Sequence, residues 1–246
     1  MKKLMSLMLT MVIMISLCIS SKPIEVYANS ETSEITSLEM NIDGKVTMTY
    51  QEQKMDSTFA FHVKEVIRSE TDADLELTMT MGIADQSVES KVYYKDGMMY
   101  QEIMGTKMKT RMELETAENQ AFVDIPQLEQ SYISCTGERE VEGGKEAIFE
   151  VKKEYLQEVI TNYLDSDFSD HGNGMTTEFT DCKLVVVTDH NNMPKSYQMM
   201  FGMNFNYEDG DTIRADYVFN YNIVSINTIT EIAFPEDLDS YIEYNY

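Results

Sequence analysis

Few residues of this chain are of the kinds that carry out covalent or metal chemistry, and their spacing keeps them apart. The three histidines, His62, His171 and His190, fall in no HExxH or comparable ligand pattern. The cysteines Cys18, Cys135 and Cys182 form no CxxC, and no histidine lies close by in sequence to take up a thiol proton. Neither the glycine loops that cradle phosphates nor the G-x-S-x-G turn of serine hydrolases occurs. Carboxylates are abundant enough for a glycosidase pair, but sugar-binding clefts usually stack their substrate on tryptophan, and this chain has none. The expectation is a non-catalytic protein that needs no cofactor.

Two groupings remain. Asp165, Asp167 and Asp170 crowd carboxylates into one stretch ahead of Gly172 and Gly174. Calcium favours such oxygen-rich loops, although the order departs from the EF-hand pattern and no glutamate closes it; the alternative is a solvated loop. Cys135 and Cys182 fall in predicted strands, in phase with Ile133 and with Leu184 and Val186, so both are expected to point inward. They form either a disulfide, which would stabilise by roughly 4 kcal/mol in the chain-entropy model, or two buried thiols.

The larger chemical population is apolar. Met40, Met48, Phe59, Phe61, Met79, Met81, Met108, Met199, Phe201, Met203, Phe205, Tyr217 and Phe219 all fall on the apolar parity of predicted strands. Methionine is unbranched and adaptable, and is over-used on surfaces that fit varied apolar partners. These residues are either a plain core or the lining of a pocket for an acyl chain, a lipid-modified peptide or another hydrophobic ligand.

The elements that position them are strands. Between Leu38 and Tyr50, apolar Leu38, Met40, Ile42, Val46, Met48 and Tyr50 alternate with polar neighbours. A period of two makes a strand with one greasy face, which demands partner strands and a cover. The same alternation recurs over 55–67, 75–83, 88–95, 98–103 and 104–114, with Asp96-Gly97 as a tight hairpin turn. Residues 116–131 change to a three-residue spacing that predicts a short helix, interrupted by Pro126. Strands are expected at 132–141 and 146–151, and Tyr155, Leu156, Val159, Ile160, Tyr163 and Leu164 then mark an amphipathic helix. Strands at 178–189, 195–207 and 212–226 complete the chain. The reading is a mainly β fold with some α: one curved antiparallel sheet of about eleven strands, a half-barrel closed by two helices.

Residues 1–28 open with Lys2 and Lys3, run through an uncharged apolar stretch and end at Val26-Tyr27-Ala28, the pattern of a cleaved export signal. Ile15-Ser16-Leu17-Cys18 resembles a lipobox, but Leu17 stands where that motif requires a small residue. Residues 29–37 read as a polar tail and 38–246 as one half-barrel domain. The formal charge of −24 repels nucleic acid and anionic membranes. Membrane association is therefore expected only if Cys18 carries a lipid.

The export signal, the Met-rich meander, Tyr93-Tyr94-Lys95-Asp96-Gly97-Met98-Met99-Tyr100 with the Lys107-Met108-Lys109 strand after it, the helix pair and the closing Phe234-Pro235-Glu236 resemble a Met-rich, uncharacterised family of exported proteins and lipoproteins in Gram-positive bacteria. That family is similar to the LolA and mycobacterial LppX class. The resemblance implies a half-barrel around a lipid-binding cavity, outside the cytoplasm in the cell envelope or secreted. The expected function is thus binding of a hydrophobic or lipid-like ligand between sheet and helices. The alternative is a filled module that meets a cell-envelope protein through its sheet surface or edges.

Overall fold

The computed structural model describes residues 35–69, 71–83, 86–114, 116, 132–157 and 176–244. The expected strands are present: β1 (Ser37–Tyr50), β2 (Gln53–Ser69), β3 (Asp72–Ile83), β4 (Gln86–Lys95), β5 (Met98–Ile103), β6 (Thr106–Arg111), β7 (Ile133–Val141), β8 (Gly144–Val151), β9 (Thr176–Thr188), β10 (Pro194–Asn206) and β11 (Thr212–Ile226). A twelfth, β12 (Ile242–Glu243), comes from the tyrosine-bearing tail and pairs parallel with β6, so the sheet has twelve strands and is antiparallel except at that edge. The order β12-β6-β5-β4-β3-β2-β1-β11-β10-β9-β8-β7 makes one open, curved sheet. Two meanders, β1 to β6 and β7 to β11, are welded where the first strand meets the last long one.

Short hairpins set the register of the first meander. Gln51-Glu52, Asp96-Gly97 and Met104-Gly105 all have positive φ at both central positions, the turn whose twist matches that of paired strands. Met104 was expected to begin a strand in phase with Met108, but Gly105 carries the left-handed conformation that closes a two-residue turn, and β6 begins only at Thr106. Residues 153–157 are helical, where the amphipathic helix was expected to begin. The remainder of both expected helices lies outside the described residues, as do residues 1–28 with Cys18.

One core draws on strands of both meanders. Its centre is aromatic: Tyr197 stacks on Tyr221 with centroids 4.1 Å apart, and Phe201 on Tyr217 at 4.5 Å. Phe219, fully buried, lies flat over β1 because residue 44 is glycine. A Cβ at Gly44 would stand 2.6 Å from Phe219 Cε1, and a ring packed among Phe201, Tyr217 and Tyr221 has nowhere to retreat. Overpacking of this kind costs roughly 1–3 kcal/mol. Gly44→Ala is therefore expected to lower the melting temperature by about 2–4 °C per kcal/mol lost; a thermal melt by circular dichroism that matches the parent would show that the ring moves freely.

The cysteines correct one expectation. Cys135 and Cys182 are both free, with Cys182 buried and Cys135 exposed. Cys135 faces Phe149 of β8, and Phe149 faces Leu184 of β9, so a whole strand separates the two cysteines. At about 4.8 Å per strand the Cα atoms are near 10 Å apart, beyond disulfide reach. Cys135 keeps the inward parity but sits on an edge strand with a register shift between Cys135 and Gly137, which leaves it in solvent. Burial pushes the Cys182 thiol up to about 12. In residues 29–246 one thiol, Cys135, should react with an aromatic disulfide reagent in the native protein and two after denaturation; none in denaturant would mean that a bridge forms after all.

Candidate functional site

The inner face of the sheet is best followed along its cross-strand rows, in which directly opposed residues share a face. One row runs Tyr197, Tyr221, Ile42, Phe61, Met79, Ser90, Ile103 across seven strands from β10 to β5. The next runs Cys135, Phe149, Leu184, Met199, Phe219, Gly44, Phe59, Met81, Val88 from β7 to β4. Both are dry in the middle; the first opens only at Ile103, past buried Ser90, and the second opens towards Cys135 at one end and Met81 and Val88 at the other. Along the first, Ile42 is 0% and Phe61 3% exposed, Met79 is half-buried, and Ile103 reaches 41%.

That gradient divides the thirteen apolar candidates. Met40, Met48, Phe59, Phe61, Phe201, Met203, Phe205, Tyr217 and Phe219 lie in the closed centre. Met79, Met81 and Met199 are half-buried against it. Met108 is half-buried on β6, opposite Gln101 of β5. Of the half-buried methionines, Met79, Met81 and Met108 lie on β3 and β6, and Met199 lies on β10.

Polar side chains enter this face at a few points. Glu65, 9% exposed, takes the inward parity of Phe59, Phe61 and Val63, and stands opposite Leu38 and Leu75. Ser90, 8% exposed, lies between Met79 and Ile103. Gln101 points its amide at Met99 Sδ, 4.0 Å away. The sequence signal for all three is parity: each occupies an inward position in a strand whose inward neighbours are apolar.

The outer face is polar and carries ion pairs. Lys45 meets Asp56 at 2.7 Å, Lys64 meets Glu76 at 3.5 Å and Arg214 meets Asp216 at 2.6 Å. Arg68 donates to both Asp72 and Asp74 and holds Asp72 below the usual carboxylate range. Such exposed pairs contribute little stability each. His62 Nε2 stands 3.0 Å from Glu39 Oε1 on this face, and His190 lies in an exposed turn. His171 and the calcium candidates Asp165, Asp167 and Asp170 are outside the described residues. Among the described residues no group of three or more metal-ligating side chains comes together.

The C-terminal segment straps the outer side of the half-open flank. Phe234, Leu238 and Tyr241 pack on Tyr93 and Tyr100. Lys107 pairs with Asp237 at 2.6 Å and holds its carboxyl below the ordinary range. Burial, with Glu102 beside it, pushes the Tyr241 phenol up to about 12. The segment ends by pairing β12 with β6, which protects a sheet edge that would otherwise offer free backbone groups. Beside it, at the β5–β6 turn, an open groove of about 400 Å³ is lined by Ser87, Val88, Glu89, Lys91, Glu102, Met104 and Gly105.

No protein-family model matches this chain, and no curated protein matches it. Solved structures do. LprF from Mycobacterium bovis is similar with a TM-score of 0.42 at 8% identity, over 87% of this chain and 96% of that one. The Mycobacterium tuberculosis lipoprotein LppX gives 0.37 at 8% identity, over 81% and 90%. A DUF1329 family protein from Desulfovibrio piger gives 0.28 at 11% identity, over 80% and 88%. All three share 11% sequence identity or less with this chain.

Proposed function

We propose that this is an exported, non-catalytic protein that holds a hydrophobic or lipid-like ligand against the β3–β6 flank of its sheet, beneath the segments expected to be helical. The observation that carries this reading is the burial gradient along the inner rows. Met79, Met81 and Met108 face the same side as the closed core yet stay half-exposed. Exposed apolar surface is unfavourable by about 25 cal/mol per Å², so a half-open greasy flank continuous with a core gains from being covered. Flexible methionines suit an occupant of variable shape. Ser90 and Gln101 provide the few polar groups that would fix the ligand's orientation.

The closed centre narrows the site. Met40, Met203, Phe205 and Phe219 are all 0% exposed, so Phe59 and Phe61 serve as the floor of the flank, and the aromatic centre serves as core. That burial also favours the second reading, a filled module whose polar outer face meets a cell-envelope protein. The signal-like residues 1–28 support export, and permanent anchoring to a membrane would require a lipid on Cys18.

Native mass spectrometry of residues 29–246, purified from a bacterial host and extracted with organic solvent, tests the proposal. A reproducible added mass that extracts as lipid is expected. Met81→Glu, which places a charge on the half-exposed flank, should reduce uptake of a fatty acid at least about tenfold, since burying an unpaired charge is strongly unfavourable, with little change in melting temperature. A clean apo mass that stays unchanged after incubation with fatty acid, phospholipid or lipopeptide would leave the filled module as the answer.

A further inference from the structure

We infer that the β5–β6 hairpin tip, Ile103-Met104-Gly105, is a portal that dips into a lipid bilayer and passes the ligand to the half-open flank. This rests on the lipid-binding reading above.

Met104 is 80% exposed, the highest value among the large hydrophobic side chains described as exposed, and its neighbour Ile103 is 41% exposed. Scattered exposed hydrophobics are ordinary. This pair differs in the apolar side chain that it places on a turn and in what it connects to. Met104 occupies the first central position of a two-residue turn with φ 51°, where Asn, Asp or Gly is the low-strain choice. The equivalent positions in the other two such turns are the polar Gln51 and Asp96. Packing does not account for the methionine: its side chain is 80% exposed, where the other two turns carry polar residues at the same position. Ile103, for its part, ends the inner row that runs back through Ser90 and Met79 to Phe61. The exposed tip is therefore continuous with the interior.

The occupant that fits is an uncharged or zwitterionic bilayer. Two projecting side chains are far too small for a stable protein interface, which covers roughly 800 Å² per partner, but they suffice to dip into acyl chains. The basic residues nearby are already paired, Lys91 with Glu89 at 3.0 Å and Lys107 with Asp237. With a formal charge of −24 the protein has no electrostatic attraction to an anionic surface.

Met104→Asn is the deciding variant, because Asn-Gly is a preferred pair for this turn and folding should be kept or improved. A fluorescent fatty acid is transferred from phosphatidylcholine vesicles to residues 29–246 and followed by stopped flow, alongside its equilibrium affinity in water. The parent should load at a rate that rises with vesicle concentration. Met104→Asn should load about tenfold more slowly, the scale of one lost buried apolar side chain, at unchanged affinity. Equal loading rates, a rate independent of vesicle concentration, or a parallel loss of affinity would each overturn the portal. A parent that binds no fatty acid even from water would overturn the lipid-binding reading instead, and the portal with it.

Discussion

The structure depends on the pairing of β1 with β11. Each meander is local in sequence and could form by hairpin zipping, but neither could bury its greasy face alone. The junction from Leu38–Ile226 to Thr49–Arg214 joins them into one sheet with one core. Its side chains are suited to that role. Met40, Ile42 and Val46 on β1 and Ala215, Phe219 and Tyr221 on β11 are essentially removed from water. Gly44 gives Phe219 the space to cross the seam. Closing contacts this distant in sequence is slow, since the loop-closure entropy must be overcome before burial offsets it.

From that seam outward the composition of the inner face changes in kind. Stacked, rigid rings of Tyr197, Phe201, Tyr217 and Tyr221 fill the centre, where shape is fixed and every gap is destabilising. Toward β3 to β6 the rings give way to methionines whose side chains re-pack without strain. The stiff centre holds the sheet's curvature, and the more compliant flank can re-pack at little cost.

Much of this was legible in the sequence, and what was not has identifiable causes. Alternation located every long strand, because a period of two cannot be mistaken over 38–50 or 195–207. It failed at Met104, whose parity with Met108 looked like strand while Gly105 was making a turn. It misjudged Cys135, because parity reports the face and says nothing of position within the sheet; on an edge strand the inward face is still wet. It missed β12, since two residues carry no period and their pairing with β6 depends on the strap packing beneath them. The binding candidates were found as a set but not sorted, because whether Met40 or Met79 is closed depends on the sheet order, which local pattern does not contain.

The flank stays half-open for a geometric reason. β5 and β6 have six residues each, against fourteen in β1 and fifteen in β11. Short strands contribute few inward side chains, so the face thins as it approaches the edge. A thin, short-stranded edge should be the weakest part of a sheet, prone to fray or to pair with another chain. Here Phe234, Leu238 and Tyr241 brace it from the outer side, and the Lys107–Asp237 pair anchors the strap. Bracing from outside keeps this edge ordered without drawing on its inner face. The strap therefore stabilises the short strands from the polar face and leaves the burial of Met79, Met81 and Met108 on the opposite face unchanged.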